Sequence, residues 1–359
     1  MERWLWESVL FDKKESCSIV VVHQMEEPFV SVVIPARNAA DTLENCLKSL
    51  SELDYPKDKV EIIIADGLST DRTQETAENY GATVIQNPGI RAVAGRNIGF
   101  EAAQGELIAF SDADCVMDKD WLKNAIKYFE DERVAGIGGP NLVPQDAPVF
   151  SKAVSLLFDY AFPFGGGAPT RVYDKVIESR AHGANAIYRA SVLRRVMPID
   201  EGMFAGEDVV MNQKIKRLGY KLLYVPDVVV HHYRRATPKR WWSQMYGYGL
   251  GKILMRRKIS GTITPTQVAL GLTIPILIIV SIALAILNPW FSLIFILGGA
   301  SLVAIFSASF AFLKTKSCRV ALNMPLATLI LPIAWSCGFL HEFFIPTRQP
   351  KQGSYKRAK

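Results

Sequence analysis

Cysteine is scarce in this chain and never paired. Cys17, Cys46, Cys115, Cys318 and Cys337 form no CxxC element and no metal-type spacing. That excludes a disulfide scaffold and a cysteine-held zinc site, and an odd, scattered set fits a reducing compartment. Charge is nearly absent between residues 267 and 345, although the 359-residue chain holds 41 Lys and Arg against 35 Asp and Glu. The net charge of +6 is modest, and its basic clusters at 234–258 and 348–359 flank the uncharged stretch. Such flanking points to anionic lipid headgroups rather than nucleic acid. Internal repeats and low-complexity tracts are lacking. Residues 1–24 read as a poor signal peptide: they have scattered charges, no clean apolar core and no small-residue cleavage site. We expect them to be an extension upstream of a start at Met25, or else a helix packed on the core or the membrane.

What is present begins at Phe29. "FVSVVIPA", "VEIIIADG", "ATVIQN" and "GELIAFSD" are short β-branched runs ended by turn residues, and they read as strands. "DTLENCLKSLSEL" places Leu43, Cys46, Leu47 and Leu50 on one helical face with Asp41 as its cap, and "TDRTQETAENYG" is a second helix stopped at Gly81. Buried strands joined by such crossovers imply a parallel, doubly wound sheet, which binds ligands at the carboxyl ends of its strands. Those ends carry Pro35–Asn38, Asp66, and Asp112 with Asp114. The looser segment 141–180, with three consecutive glycines, reads as a functional loop.

Several residue patterns carry chemistry. The "DAD" pair after a buried strand suits a hard divalent cation, with Asp114 as ligand and Asp112 on the nucleotide sugar or a metal-bound water. Asp66 reads either as an acceptor for a pyrimidine ring N–H or as part of a helix-capping turn with Ser69, Thr70 and Asp71. Glu207 and Asp208 precede an amphipathic helix that stops at Gly219. They read as caps or, ionised by the helix dipole, as a base for an acceptor hydroxyl. In "VVVHHYRR", His231 or His232 is either structural or completes the metal site, and Arg234 or Arg235 can grip phosphate.

Taken in order, "VSVVIPARN", "IIADGLSTDRT", "GRNIG", "SDADC", "HGANAIYRAS" and "GEDVVMNQKIKRLGY" resemble family 2 of the glycosyltransferases, over roughly Phe29 to Met255. "RWWSQMYGYGLGK" before apolar segments is similar to the membrane-bound branch that includes succinoglycan-type and lipid-linked-sugar transferases. The resemblance implies an α/β class: a GT-A catalytic domain, Rossmann-like with a mostly parallel sheet, followed by an interfacial helix and C-terminal transmembrane helices. It puts Asp66 on the base, and Asp112 and Asp114 on ribose, Mn²⁺ or Mg²⁺, and diphosphate. Asp208 becomes the catalytic base beside Glu207, while Arg96 and Asn97 lie beside the nucleotide-sugar. Pro35, Arg37, Asn38, Asn185, Arg234 and Gln244 are further substrate-side positions, and His231 and His232 join the metal set. Two departures, Ala39 and Val210, stand where family members carry acidic residues. The implied reaction is inverting and metal-dependent. A sugar moves from a UDP- or GDP-sugar to a lipid acceptor, a polyprenyl or dolichyl phosphate or a lipid-linked saccharide. A processive polysaccharide synthase is the same-fold alternative; three apolar segments are few for a secretion channel, and Arg240, Trp241 and Gln244 do not make a QxxRW element. A non-catalytic membrane scaffold leaves the intact DAD and ED unexplained.

The boundaries expected are an extension 1–28, a catalytic domain 29–235, an interfacial amphipathic segment 236–260, a membrane region 261–346 of about three helices, and a basic tail 347–359. Gln267–Leu287 and Trp290–Leu313 are long enough to span, since about 20 apolar residues suffice. Val320–Phe344 is a third candidate, interrupted by Asn323, Pro325 and Pro332. Trp and Tyr mixed with Arg and Lys before the first span fit a helix lying at headgroup depth. The positive-inside rule puts Arg256–Lys258 and Lys314–Arg319 in the cytoplasm with the catalytic domain. Three spans then send the cationic tail outside, against the rule. We expect a true third span with His341 and Glu342 near the outer interface; a re-entrant or interfacial segment is the alternative.

Overall fold

The computed structural model describes residues 27–161, 173–179, 181, 183–203, 206–258 and 263–346. Nearly all of the expected extension, the triple-glycine stretch and the basic tail lie outside them. The four expected strands form as β1 (Val30–Ala36), β2 (Val60–Asp66), β3 (Thr83–Gln86) and β4 (Leu107–Ser111). They pair in parallel in the order β3-β2-β1-β4. Between them run α1 (Ala40–Ser51), α2 (Thr73–Asn79) and α3 (Ala92–Ala102). Leu43, Cys46, Leu47 and Leu50 of α1 are buried against the sheet, as their spacing requires. The cap of α1 differs from expectation. Asp41 makes no capping bond; Ala39 N–H donates to Thr73 Oγ1 and Ala40 N–H to Asp71 Oδ2, at 2.8 and 3.2 Å. The loop after β2 thus caps the helix after β1 and fixes the two strand ends to each other.

The second half of the domain supplies β5 (Cys115–Met117), α4 (Trp121–Ile126), β6 (Val134–Gly138), β7 (Asn141–Leu142), α5 (Val149–Ala161) and β8 (Ile177–Glu178). It continues through β9 (Asn185–Arg189), α6 (Ala190–Leu193), α7 (Glu207–Arg217), β10 (Lys221–Tyr224) and β11 (Val230–His232). The main sheet is completed as β4-β9-β6-β10-β8, with β9 antiparallel to both neighbours. A small sheet, β5-β11-β7, lies beside the end of β4. Its register sets His232 opposite Cys115 and His231 opposite Val116, so the two histidines face opposite ways.

The C-terminal region consists of α8 (Pro238–Lys258), α9 (Pro265–Gly271), α10 (Thr273–Leu287), α11 (Pro289–Thr315) and α12 (Cys318–Phe344). The first expected span is broken, because α9 and α10 meet at a 57° bend. Helices α11 and α12 are each long and apolar enough to cross a bilayer, and α9–α10 makes a third only if the bent pair counts as one span. Helix α8 also departs from expectation. It is no half-immersed surface helix: Gly249 to Met255 are all buried, and Trp241 is fully enclosed. The Trp241 indole N–H donates to Ala327 O of α12 at 3.0 Å, and its ring stands edge-on to Phe158 of α5 at 5.5 Å. Of the expected Trp pair, only Trp242 is exposed. Two glycines permit the α8–α12 contact. A Cβ on Gly249 would lie 2.1 Å from the Trp335 carbonyl oxygen, and one on Gly338 would lie 2.0 Å from that of Tyr246.

Candidate active site

The carboxyl ends of β1, β2 and β4 and the N-terminus of α7 converge, and acidic groups collect there around one guanidinium. Arg96, on α3, is buried. Its Nη2 donates to Asp112 Oδ1 at 2.8 Å and its Nη1 to Glu207 Oε1 at 2.6 Å. Burial works against the charge on Arg96, but the carboxylates of Asp112, Glu207 and Asp208 outweigh it and hold the group protonated. Burial in turn raises the Glu207 carboxyl, and Arg96 only partly offsets that. Arg96 thereby ties the loop after β4 to the start of α7. Asp208 sits beside Glu207 in the first turn of α7, partly buried, its Oδ1 accepting from the Val209 N–H at 2.8 Å. Left-handed Gly206 (φ +80°) turns the chain into that helix, and Met255 of α8 packs against it.

A second cluster lies at the next acidic residue. His232 Nε2 is 3.1 Å from Asp114 Oδ1, and Arg235 Nη1 is 3.6 Å from Asp114 Oδ2. Burial acts to raise Asp114, but His232 and Arg235 prevail and hold it below the usual carboxylate range. Ligand atoms of Asp114, Cys115 and His232 lie within 4.8 Å of one another. Cys115 is fully buried, and burial and the neighbouring aspartates push its thiol well up, so it stays protonated. The donors left are one carboxylate and one imidazole, a set that fits a hard or borderline divalent cation with positions remaining for diphosphate oxygens.

Asp66, at the end of β2, is fully buried. Its Oδ2 accepts from Ser69 N–H (3.1 Å) and Gln74 Nε2 (2.7 Å), while Oδ1 meets no donor among the described residues. A buried carboxylate oxygen left open at a strand end calls for a donor from outside the chain. Arg37 and Asn38 are exposed at the end of β1, and Asn38 Oδ1 accepts from the Thr70 N–H at 2.8 Å. Pro35 packs on α3 at Gly95, where a Cβ would come within 2.9 Å of its own.

Other expected site residues are occupied elsewhere. Asn97 exchanges two 2.8 Å bonds with the Ile199 backbone. Asn185 is saturated: its Oδ1 accepts from the Trp121 indole and its Nδ2 donates to Val228 O and Pro140 O. His231 bonds Asp118 at 2.9 Å, because strand alternation turns it from Asp114. Arg234 donates to Asn141 O and lies 4.6 Å over the Phe158 ring, which makes Arg235 the cation at Asp114. Gln244 donates to the Tyr248 hydroxyl. Val210 is buried with Met203 and Met255. Tyr248 escaped sequence reading. Burial first, then Asp208, raise its hydroxyl while Arg235 and Arg234 lower it, so α8 brings a tyrosine within electrostatic reach of both clusters. Its one sequence signal is the aromatic–glycine run "YGYGLG".

Residues 31–197 match the family description "Glycosyl transferase family 2". Glycosyltransferase AglE of Haloferax volcanii is 28% identical over 250 residues, 65% of this chain and 76% of that protein. A dolichyl N-acetyl-alpha-D-glucosaminyl phosphate 3-beta-D-2,3-diacetamido-2,3-dideoxy-beta-D-glucuronosyltransferase of Methanococcus voltae is 26% identical over 64% of this chain and 74% of its own length. Among solved structures, the mannosyltransferase PcManGT of Pyrobaculum calidifontis, determined with GDP-Man and Mn²⁺, superposes with a TM-score of 0.56, covering 88% of each chain at 20% identity. This last likeness shows the fold.

Proposed function

A chain whose residues 31–197 form a family 2 glycosyltransferase domain is a glycosyltransferase, and from that premise we propose an inverting, metal-dependent transfer from a nucleotide-diphospho-sugar to a lipid-linked acceptor. The observation that carries this reading is the pairing of Asp208, at the N-terminus of α7, with the Asp114–His232–Arg235 cluster across the Arg96 bridge. One side is acidic and suited to take a proton. The other is cationic and suited to receive a leaving diphosphate.

The open Asp66 oxygen accepts a ring N–H of the base, a donor that uracil and guanine both possess. Asp208 takes the proton of an acceptor hydroxyl as that oxygen bonds to the anomeric carbon from the face opposite the diphosphate. The bond from the anomeric carbon to the diphosphate breaks, configuration inverts, and the nucleoside diphosphate leaves with its new charge facing Arg235. Asp114 and His232 would hold a divalent cation, which would supply further positive charge against that leaving group. An acceptor phosphate, already anionic, needs no base and relies on the cations instead. The acceptor is lipid-linked because α8, which carries Tyr248 to the site, is itself packed on the apolar helices; the acceptors named for the Methanococcus relative are of this kind. The catalytic domain faces the cytoplasm, where nucleotide-sugars are made, and the chain passes the membrane more than once.

Membranes carrying the wild-type chain, given a panel of radiolabelled nucleotide-sugars, are expected to label the lipid fraction with one of them. Asp208→Asn should lower transfer by roughly 10²–10⁴-fold with donor binding retained. Near-normal turnover in that variant removes Asp208 as the base and favours a phosphate acceptor. Label appearing only in aqueous polymer transfers the reading to a processive synthase.

A further inference from the structure

Helix α12 is as long and apolar as a membrane span, yet it is packed unlike one. Half of its most apolar stretch is buried inside the protein, against 6% for α11. Its main partner is α8, and the contacts run along both helices. Near their starts, Trp241 reaches Ala327. In the middle, the backbones touch at Gly249 and Gly338. At their ends, Arg257 pairs with fully buried Glu342 and donates to its carbonyl oxygen at 2.8 Å. Tyr246 also bonds His341. The two helices therefore lie side by side in the same direction.

Helix α8 cannot leave the catalytic domain, because both of its ends are fastened there. Trp241 packs on Phe158 of α5, and Met255 packs on Gly206, Met203 and Val210 at the start of α7. Whatever lies along α8 lies along the domain. Were α12 to cross the bilayer, it would draw α8, with Lys252 and Arg257, and the start of α7, with Glu207 and Asp208, toward hydrocarbon depth. Each charge there costs roughly 2.5–3.5 kcal/mol even on the most lenient insertion scale.

We propose that α12 is not a third span but a shelf: it lies along the bilayer surface on the catalytic-domain side and sets its outer stripe into the boundary of headgroups and acyl chains. That stripe is apolar from end to end. Leu322, Leu326, Leu329, Ile333, Leu340 and Phe344 recur at helical spacing, and each is exposed or half-buried, whereas the opposite face is closed against α8. The occupant is lipid because α12 itself adjoins α10 and α11, whose large apolar side chains are mostly exposed. Pro325 and Pro332 fall within the helix, where a shelf at the surface keeps water within reach of the carbonyls they free. The shelf also removes the charge conflict. Arg348, Lys351, Lys356, Arg357 and Lys359 then stay on the same side as Lys314–Arg319, as the positive-inside rule requires.

The proposal rests on α10 and α11 being the bilayer hairpin, and the test separates the two. Spin labels placed singly at Leu326→Cys and Leu340→Cys, in a chain with its native cysteines replaced and reconstituted in vesicles, are expected to report the same shallow depth. A span would set them about 20 Å apart along the helix axis. In intact cells a membrane-impermeant thiol reagent should label Asn288→Cys at the hairpin tip and leave Ser317→Cys and Ile345→Cys protected until permeabilisation. Unequal depths, or labelling at 345 in intact cells, overturn the shelf alone. Protection at 288, with the chain released by carbonate, overturns the hairpin and the shelf together. Should the cysteine-free background not fold, the unaltered chain fused after Lys359 to a green fluorescent protein gives the same answer: fluorescence supports the shelf. Activity of an alkaline phosphatase fused at that position refutes it.

Discussion

The sheet of the catalytic domain and the hairpin α10–α11 use isoleucine in opposite ways. Ile34, Ile63 and Ile64 are at most 1% exposed, while Ile279, Ile286 and Ile305 are 65%, 80% and 65% exposed. The sheet hides apolar surface from water and gathers its polar groups at the strand ends, most of them answered by a partner and one oxygen of Asp66 left open. In the hairpin almost nothing is hidden: α10 has no buried residue, and α11 buries only Ser307 and Ala311. One chain is thus written for two solvents. Between them stand α8, closed against the domain and α12, and α12, whose outer stripe is apolar, and they are where the two regions can be uncoupled.

The strongest break is expected within the domain. Arg96→Met leaves Asp112 and Glu207 without their shared cation and should cost about 3 kcal/mol. That is the low end of the effect of breaking a buried pair, because the Asp112 side chain is 32% exposed. Thermal unfolding in detergent measures it. Glu207→Gln in the same chain should recover part of the loss by removing one of the stranded charges, and membrane insertion should be unaffected.

The elements most readable from sequence are those whose residues face a single environment. The β-branched runs of β1, β2 and β4 and the apolar face of α1 obey one periodicity each, and they appear where it puts them. The acidic pair at 112 and 114 is legible because a strand end is a local feature. Arg96 was legible as a site residue but not as a bridge, since Asp112 and Glu207 come from distant parts of the chain. The choice between His231 and His232 depends on the pairing of β11 with β5, and that between Arg234 and Arg235 on a stacking partner, Phe158. Neither is a property of the local sequence. Helix α8 misled for a different reason. A helix enclosed by a soluble domain on one side and apolar helices on the other shows no single face, and its Trp and Tyr residues resemble interfacial anchors although Trp241 is fully buried.

An intermediate effect is expected at the seam. Gly249→Val sets a side chain where the Trp335 carbonyl oxygen stands, and it should separate α8 from α12 at a cost of about 1–3 kcal/mol. If the two regions are coupled there, transfer to the lipid fraction falls while nucleotide binding persists, since the proposed binding residues Asp66 and Asp114 lie at strand ends away from the Gly249–Trp335 contact. Equal loss of both activities would make the seam part of the catalytic domain's own core.

The smallest effect is expected where the two regions differ most. Truncating a core isoleucine to alanine costs ~2–5 kcal/mol, because transferred methyl groups and a residual cavity both count. Ile286, near the end of α10, is 80% exposed, so Ile286→Ala opens no cavity and removes no protein contact of consequence. In lipid its side chain exchanges one hydrocarbon neighbour for another, and the change in unfolding free energy in nanodiscs should be about 0.5 kcal/mol or less, the scale of a single apolar residue's insertion energy. Ile286→Asp is the informative companion. A carboxylate on a water-facing helix would be harmless, but one on a lipid-facing helix opposes insertion by roughly 2.5–3.5 kcal/mol near mid-membrane and less toward the interface. A silent alanine with an aspartate that drives the chain from the membrane fraction means that lipid covers this face. A silent aspartate would mean that water does, and the contrast between the two regions would then need another cause.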